Sequence, residues 1–404
     1  MLSAVVLNFF LSHLGMFALL PILALYVRDS GASPTWVGLT LAAYTFTVRA
    51  AGLFTAGTIT AVSDRAGSCL AMLVTGAALA VLALVPGAPL LPCLLLVGLG
   101  VNSNGLFIRS LLNRHTDAAR LTTAYGTVSV AVNIAAAGGP FLGTLMYADV
   151  GARPVFLVSG LLYIAAAVAS LLAPREQATA AARRVGFVAT WGELARLTRQ
   201  PGSARLVGVT VVGWVAYAQL FSALPLFLAD VIGRRDATAA VFAVNAVTVV
   251  AVQRWVVATL ARQTPRRGWT HLHSLVCGLV LFAASFLLLS VPGTGLAGVL
   301  VAVVVFSVAE AATTPAVDAS FAALPSEQRL APVNLRSSVN AVGETVGVFS
   351  GGTLYLVMER SVSSSAYWLV VASLALVAAT VAGVSVARGR RQAAPRRALE
   401  PEGS

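Results

Sequence analysis

The sequence predicts an all-α membrane protein: two six-helix bundles, about twelve transmembrane helices, related by a pseudo-two-fold axis normal to the membrane. Three observations predict it. The 404 residues are 58% hydrophobic and only 10% charged, with a mean hydropathy of +0.86. Apolar runs long enough to cross a bilayer recur along the whole chain. The second half also repeats spaced residues of the first.

The composition excludes a water-facing domain, whose surface carries about 25% charged residues. The net charge of +12 invites a nucleic-acid reading. The charges sit in short loops between apolar runs, not on one face, so no nucleic-acid partner is expected. Cys69, Cys93 and Cys277 lie far apart without metal-ligand spacing and serve as small apolar fillers. Neither a metal nor a cofactor is expected.

Crossing about 30 Å of hydrocarbon takes about 20 helical residues. Spans are predicted near 3–27, 35–62, 70–86, 90–112, 121–147, 154–173, 204–229, 237–259, 271–291, 295–322, 332–357 and 365–387. Turn formers separate them, among them Asp29-Ser30-Gly31, Pro86-Gly87-Ala88-Pro89, Asp149-Val150-Gly151 and Pro292-Gly293. The first span is too long for a signal-peptide core and no basic residue precedes it, so it is expected to be retained.

One set of loops carries most of the arginines, including Arg65, Arg114, Arg120, Arg262, Arg266 and the tail from Arg388. The opposite loops hold only Arg28, Arg153, Arg234, Arg235 and Arg360. Positive loops stay inside, so both termini are expected in the cytoplasm, which requires an even number of spans. The longest polar stretch, 174–203, is read as a cytoplasmic linker. Its Phe187, Trp191, Leu194 and Leu197 share a face, as in an amphipathic helix along the inner leaflet. The domains are therefore an N-terminal bundle at 1–173, this linker, a C-terminal bundle at 204–387 and a basic tail at 388–404.

The internal repeat supports that division. Ala18 to Ala24 (ALLPILA) matches Ser222 to Leu228 (SALPLFL) at an offset of 204. Ala135, Gly139, Gly143 and Tyr147 match Gly343, Gly347, Gly351 and Tyr355 at an offset of 208. Parallel repeats of this kind mark two-bundle carriers, whose site lies at mid-membrane between the halves. Small residues every fourth position let helix backbones approach closely. Around Pro140, Asn133 is placed to satisfy freed backbone, and the Gly stripe is expected to be a bendable contact that helps the halves rock.

Residues 60–69 (TAVSDRAGSC) resemble the loop between the second and third helices of the major facilitator superfamily, through Asp64, Arg65 and Gly67. Thr60 stands where that loop has Gly, and Ser68 and Cys69 where it has basic residues. Residues 133–143 (NIAAAGGPFLG) resemble the fifth-helix Gly-Pro motif of its drug:proton antiporters. The likeness extends, with hydropathy and repeat, over nearly the whole chain. The fourth-helix Arg of those antiporters is absent from Val101 to Gly105, with Arg109 nearer the cytoplasmic end. The resemblance implies a central cavity lined by the first, fourth, seventh and tenth helices. It also implies a bacterial multidrug-resistance type of protein in the inner membrane.

Ionisable residues inside spans are costly and become site candidates. His13, Arg49, Glu310 and Glu344 lie near mid-membrane by counting, while Arg109, Arg254 and Asp318 lie closer to the cytoplasmic ends, within snorkelling reach. Glu310, Thr314 and Asp318 form one polar stripe. Asn102, Ser103 and Asn104 hold the matching place in the fourth span. With the implied cavity helices, the substrate would meet His13, Phe17, Asn102, Asn104, Trp214 and Tyr217, together with Gln219, Phe221 and Glu310. Such a mostly apolar pocket suits an amphipathic organic molecule better than a sugar. Burial in a poorly hydrated cavity disfavours a charged carboxylate, which lets such a group exchange a proton near neutral pH. Glu310 is the first choice for proton coupling, with Glu344 and His13 behind it.

Asp64 is expected to latch the second helix to the eleventh, with Arg109 or Arg336 as its partner and Arg65 and Gly67 shaping the loop. Arg49 and Glu344 are expected to pair across the two halves, because each alone would be costly at that depth. The function these readings imply is proton-coupled efflux of small amphipathic compounds, by a monomer whose partners are lipid, protons and substrate. Proton-coupled import is the alternative. A membrane-embedded enzyme or a sensor is less favoured, for want of a catalytic motif or an extramembrane domain.

Overall fold

The computed structural model describes residues 2–59, 62–173, 187–200, 202–266, 271–326 and 331–397. Thr60, the linker residues 174–186 and the tail residues 398–404 lie outside the described residues.

The N-terminal half contains α1 (Leu2–Asp29), α2 (Pro34–Ile59), α3 (Asp64–Leu84), α4 (Leu90–His115), α5 (Ala118–Val150) and α6 (Ala152–Leu171). A short helix, α7 (Phe187–Arg199), follows. The second half contains α8 (Ser203–Ala218), α9 (Ala223–Asp230), α10 (Ala237–Arg266), α11 (His271–Ser290), α12 (Leu296–Ala322), α13 (Ala331–Ser361) and α14 (Ser364–Arg397). Eleven segments are long and apolar enough to cross a membrane, α8 and α9 counting as one, and α2 adds a further helix of 26 residues. Two six-helix bundles of membrane-spanning helices result. The helix of α14 runs through Arg397, so the expected tail begins as its continuation, in a segment rich in helix-favouring Arg and Ala.

The seventh span departs from an unbroken helix. Its backbone tightens over Gln219–Ser222, where Leu220 N–H bonds Tyr217 O and Phe221 N–H bonds Ala218 O, before α9 begins. Pro225 lacks the N–H that a continuous helix would give to Phe221 O, and its ring disfavours helical geometry just before it. The break is satisfied by the Gln219 side chain. Its amide donates to Val215 O (2.7 Å) and Gly347 O (3.1 Å), and its carbonyl accepts from Tyr367 Oη (2.6 Å). In α1, Pro21 is accommodated without interruption.

Glycines set the closest helix approaches. A Cβ on Gly143 would lie 2.0 Å from Ala18 O, and one on Gly139 2.9 Å from Leu14 O. In the second half, a Cβ on Gly351 would lie 2.1 Å from Ser222 Oγ, one on Gly347 2.8 Å from Val215 O, and one on Gly343 2.8 Å from Val211 O. The seams are thus α1 with α5 and α8 with α13. Both lie inside a half. Asn133 is exposed on α5 and its side chain makes no hydrogen bond among the described residues, so it does not serve Pro140 in this structure.

Packing is asymmetric across the membrane. One large apolar cluster joins both halves on the side away from the termini; it includes Leu23, Leu41, Phe156, Phe227, Phe286 and Trp368. On the termini side the core splits into two separate clusters. One, around Phe9, Ile108 and Leu111, belongs to the first half; the other, around Val209, Leu275 and Phe321, belongs to the second. Leu194 and Leu197 of α7 are buried in the latter, so this part of the helix packs on protein, while Trp191 stays exposed.

Candidate functional site

The two halves meet along α2 with α13 and α5 with α10, and at the far ends of α1 and α9. The far side carries a charged seal. Arg28 bridges Asp29 and Asp230, Arg235 reaches Asp29 (3.0 Å), and Tyr147 donates to Asp29 (2.8 Å). Sequence reasoning passed over these residues as ordinary loop charges. The signal available was that the poorly basic loops keep Arg28 and Arg235 beside Asp29 and Asp230.

Deeper, at mid-span, Arg49 Nε lies 2.7 Å from Glu344 Oε2, so an ion pair joins α2 to α13 across the halves. Glu344 is buried, with a side chain 8% exposed, whereas Arg49 keeps 37% of its side chain exposed. With the far side sealed, that exposure faces the central space toward the termini. A cavity of about 30 Å³ adjoins the pair, with Phe17, Leu20, Tyr44, Tyr217 and Phe221 among its lining residues. It has room for a water or two, not for a drug-sized ligand.

A second cavity, of about 10 Å³, holds Glu310, Trp214, Thr313 and Thr314. Tyr217 lines both cavities and is the wall between the ion pair and Glu310. Glu310 accepts a hydrogen bond from Asn245 Nδ2 (3.0 Å), and the same amide donates to Ser307 (3.0 Å). Asn245 was missed because neutral polar residues were sought only in the first, fourth, fifth, seventh and tenth spans, and Asn245 lies in the eighth. The aromatic side of the space is built by Trp214 edge-on to Tyr217, and Tyr217 edge-on to Phe221. His13 turns Nδ1 to Phe9 O (2.9 Å) between the rings of Phe9 and Phe17.

The match to the family model for the Major Facilitator Superfamily covers residues 5–272, well over half of the chain. The chain belongs to the major facilitator superfamily. It is therefore a multi-pass membrane transporter. No curated protein matches it in sequence. Among solved structures, a POT family transporter in complex with 5-aminolevulinic acid is similar at TM-score 0.79 and 12% identity, over 96% of each chain. A peptide transporter POT in complex with sulfate gives 0.78 and 14% over 96% and 94%, and the POT family transporter PepTSo 0.76 and 13% over 97% and 98%. At these identities the likeness concerns the fold.

Several residues sit elsewhere than a superfamily cavity would need. Asn104 is buried in the N-terminal half, donating to Asn8 (2.9 Å) and accepting from Ser68 (2.6 Å), with Ser170 completing the network. Gln219 is spent on the helix break. Both side chains are buried inside their own bundles in this structure. Asn102 donates to Val48 O (2.7 Å) and ties α4 to α2. Asp64 pairs with Arg114 (3.3 Å) inside the first half, not with Arg109 of the same helix and not with Arg336 across the halves. Arg65 donates to Ala173 O at the end of α6 (3.2 Å). A Cβ on Gly67 would collide with the Phe107 ring at 2.2 Å, so Gly67 permits the α3–α4 approach. Arg336 pairs with Asp318 (2.5 Å), joining α13 to α12.

Proposed function

We propose that the chain is a proton-coupled exporter of small amphipathic organic compounds, working by alternating access in a bacterial inner membrane with both termini in the cytoplasm. The arrangement around Tyr217 carries this reading. One phenol separates a carboxylate held by a neutral amide, Glu310, from a carboxylate held by a cation on the other half, Glu344. A proton taken up by Glu310 changes the charge beside the wall that borders the inter-half ion pair. Protonation at one carboxylate and opening of the other then bias the same conformational equilibrium, and substrate need not touch the proton.

Support for an amphipathic substrate comes from the surfaces offered: Phe17, Tyr44, Tyr217 and Phe221 beside few polar groups. The test is a panel of toxic amphipathic compounds on a pump-deficient host carrying the protein. Accumulation of at least one compound is expected to fall, and a protonophore is expected to restore it. A rise in accumulation replaces export by import. Export indifferent to the protonophore removes proton coupling.

A further inference from the structure

The far side holds two cavities that the transport reading does not use, at matching corners of the two halves. One, of about 490 Å³, lies among the end of α1, the α3–α4 turn and the α5–α6 turn, with Tyr26, Pro86, Tyr147 and Arg153 in its lining. The other, of about 560 Å³, lies among the end of α9, the α11–α12 turn and the start of α14, with Ile232, Arg234, Pro292 and Ser364 in its lining. Duplication accounts for their size and place, but not for their charge. In the second-half cavity Arg234 is engaged by Asp236, with Nε and Nη2 at 3.0 and 2.8 Å from the carboxylate. In the first-half cavity Arg153, exposed on the first turn of α6, has no hydrogen-bond or ion-pair partner among the described residues.

A second guanidinium closes this cavity from the other half. Arg235 belongs to the α9–α10 turn, while every other lining residue belongs to the first half. Arg235 reaches Asp29 (3.0 Å), but that carboxylate also serves Arg28 and Tyr147. Asp230 balances Arg28, so Arg28, Arg153 and Arg235 outnumber Asp29 and Asp230 by the charge of Arg153. Asp149, exposed on α5, lies outside the lining and forms no ion pair among the described residues. The rim is apolar: Leu84, Val85 and Val150 are 68%, 51% and 62% exposed. Exposed apolar side chains at span ends lie in lipid, and Tyr with Arg beside them is the composition of a membrane interface. The cavity therefore opens at headgroup level, where phosphate is the abundant anion and guanidinium forks suit its oxygens.

We propose that this cavity binds the phosphate headgroup of an anionic phospholipid in the leaflet away from the termini, held between Arg153 of the first half and Arg235 of the second. Its volume falls within the range of small-molecule pockets, about 300–1,000 Å³, and takes a whole headgroup. The acyl chains run along exposed Leu84 and Val150. Arg235 moves with the second half, so opening of the far side withdraws it and leaves the headgroup with one cation. The lipid thus binds the sealed state better, and by linkage favours that state in return. The inference rests on the alternating access of the proposed function, but neither on the direction of transport nor on proton coupling.

The experiment reads the seal and the lipid together, without any gradient. The full chain, with its three native cysteines replaced by Ala, carries spin labels at Pro92→Cys and Val362→Cys, exposed far-side positions on opposite halves. Distances are recorded in phosphatidylcholine nanodiscs, in discs that also contain phosphatidylglycerol, and in phosphatidylcholine discs given glycerol 3-phosphate. Phosphatidylglycerol is expected to raise the short-distance population several-fold, and the soluble phosphate to leave it unchanged. Arg153→Gln removes most of the lipid response. Arg360→Gln, which takes a cation from the same face at the end of α13, retains it. Native mass spectrometry reads occupancy where the seal is already closed: the most tightly held phosphatidylglycerol is lost from Arg153→Gln and kept in Arg360→Gln. Closure and lipid retention both indifferent to Arg153→Gln overturn the proposal, as does an equal loss in Arg360→Gln. Closure by glycerol 3-phosphate alone overturns the lipid in favour of a soluble phosphate ester. Each of these results leaves the protonophore-sensitive flux test standing, and failure of that test leaves this one standing.

Discussion

The inner parts of α4 and α12 occupy matching places in the two halves, yet they use their polar residues for opposite purposes. In α4, Asn104 is 2% exposed and its amide is engaged by Asn8 and Ser68 inside one bundle. In α12, Glu310 has a single amide partner and faces a cavity walled by Tyr217. A neutral amide engaged by its neighbours holds helices together and has no proton to exchange near neutral pH. A carboxylate with one neutral partner can change its proton count without dismantling the bundle. Duplication supplied two similar positions; the chemistry of the side chain and its degree of satisfaction separate a staple from a switch.

The largest effect that sharpens this contrast is functional. Glu310→Gln keeps the shape and removes titration. Gradient-driven transport in proteoliposomes is expected to fall by roughly 5–150-fold, the usual range of a coupling between sites, with thermal stability retained. Asn104→Leu should do the reverse. It leaves Asn8 and Ser68 short of a partner, costs about 1–3 kcal/mol of stability, and leaves transport per folded copy unchanged. If the two substitutions have the same profile, the contrast fails.

Next in size is a contrast between the two glycine seams. A methyl at Gly143 meets the Ala18 carbonyl, a backbone atom that cannot move alone. Gly143→Ala is expected to cost about 1–3 kcal/mol, seen as a lowered melting temperature in detergent. At Gly351 the nearest obstacle is the Ser222 hydroxyl, a side-chain end that can rotate, and the fixed atoms behind it, Ser222 Cβ and Ala223 N, stand off at 2.7 and 2.9 Å, against 2.0 Å for the Ala18 carbonyl at Gly143. Gly351→Ala should cost less than Gly143→Ala, and equal losses would remove the distinction.

The smallest effect concerns the link between the halves. Because Arg49 stays 37% exposed, its coupling to Glu344 is expected near 1 kcal/mol, above the middle of surface pairs and below a fully buried one. Arg49→Glu and Glu344→Arg should each lower stability or transport, and the double substitution should recover part of the loss. Complete absence of recovery in a stably inserted double variant would leave the pair without a role in the alternation.

What was legible in the sequence follows from what a single residue can reveal. Span lengths depend on apolar runs, and the cost of a mid-span charge forces a partner, so the spans and the Arg49–Glu344 contact were within reach. The repeat offsets were also informative: Gly143 meets Ala18 as Gly351 meets Ser222, in agreement with the offset of 204 in the first and seventh spans. Helix facing was less accessible. Whether Asn104 or Gln219 points to a cavity or into its own bundle depends on neighbours such as Ser68 and Tyr367, which no pattern in α4 or α8 announces. The partner of Asp64 was missed for a similar reason: Arg109 and Arg114 are little more than one helical turn apart, and only the geometry of the α3–α4 contact chooses between them.

The seal on the far side adds solvent-accessible ion pairs to the apolar packing that joins the halves there. Ions in the surrounding electrolyte shorten the reach of such charges to about 8 Å at physiological ionic strength and further in brine. The resting balance between the two access states is therefore open to adjustment by the salinity of the compartment it faces, through a route that involves neither substrate nor proton.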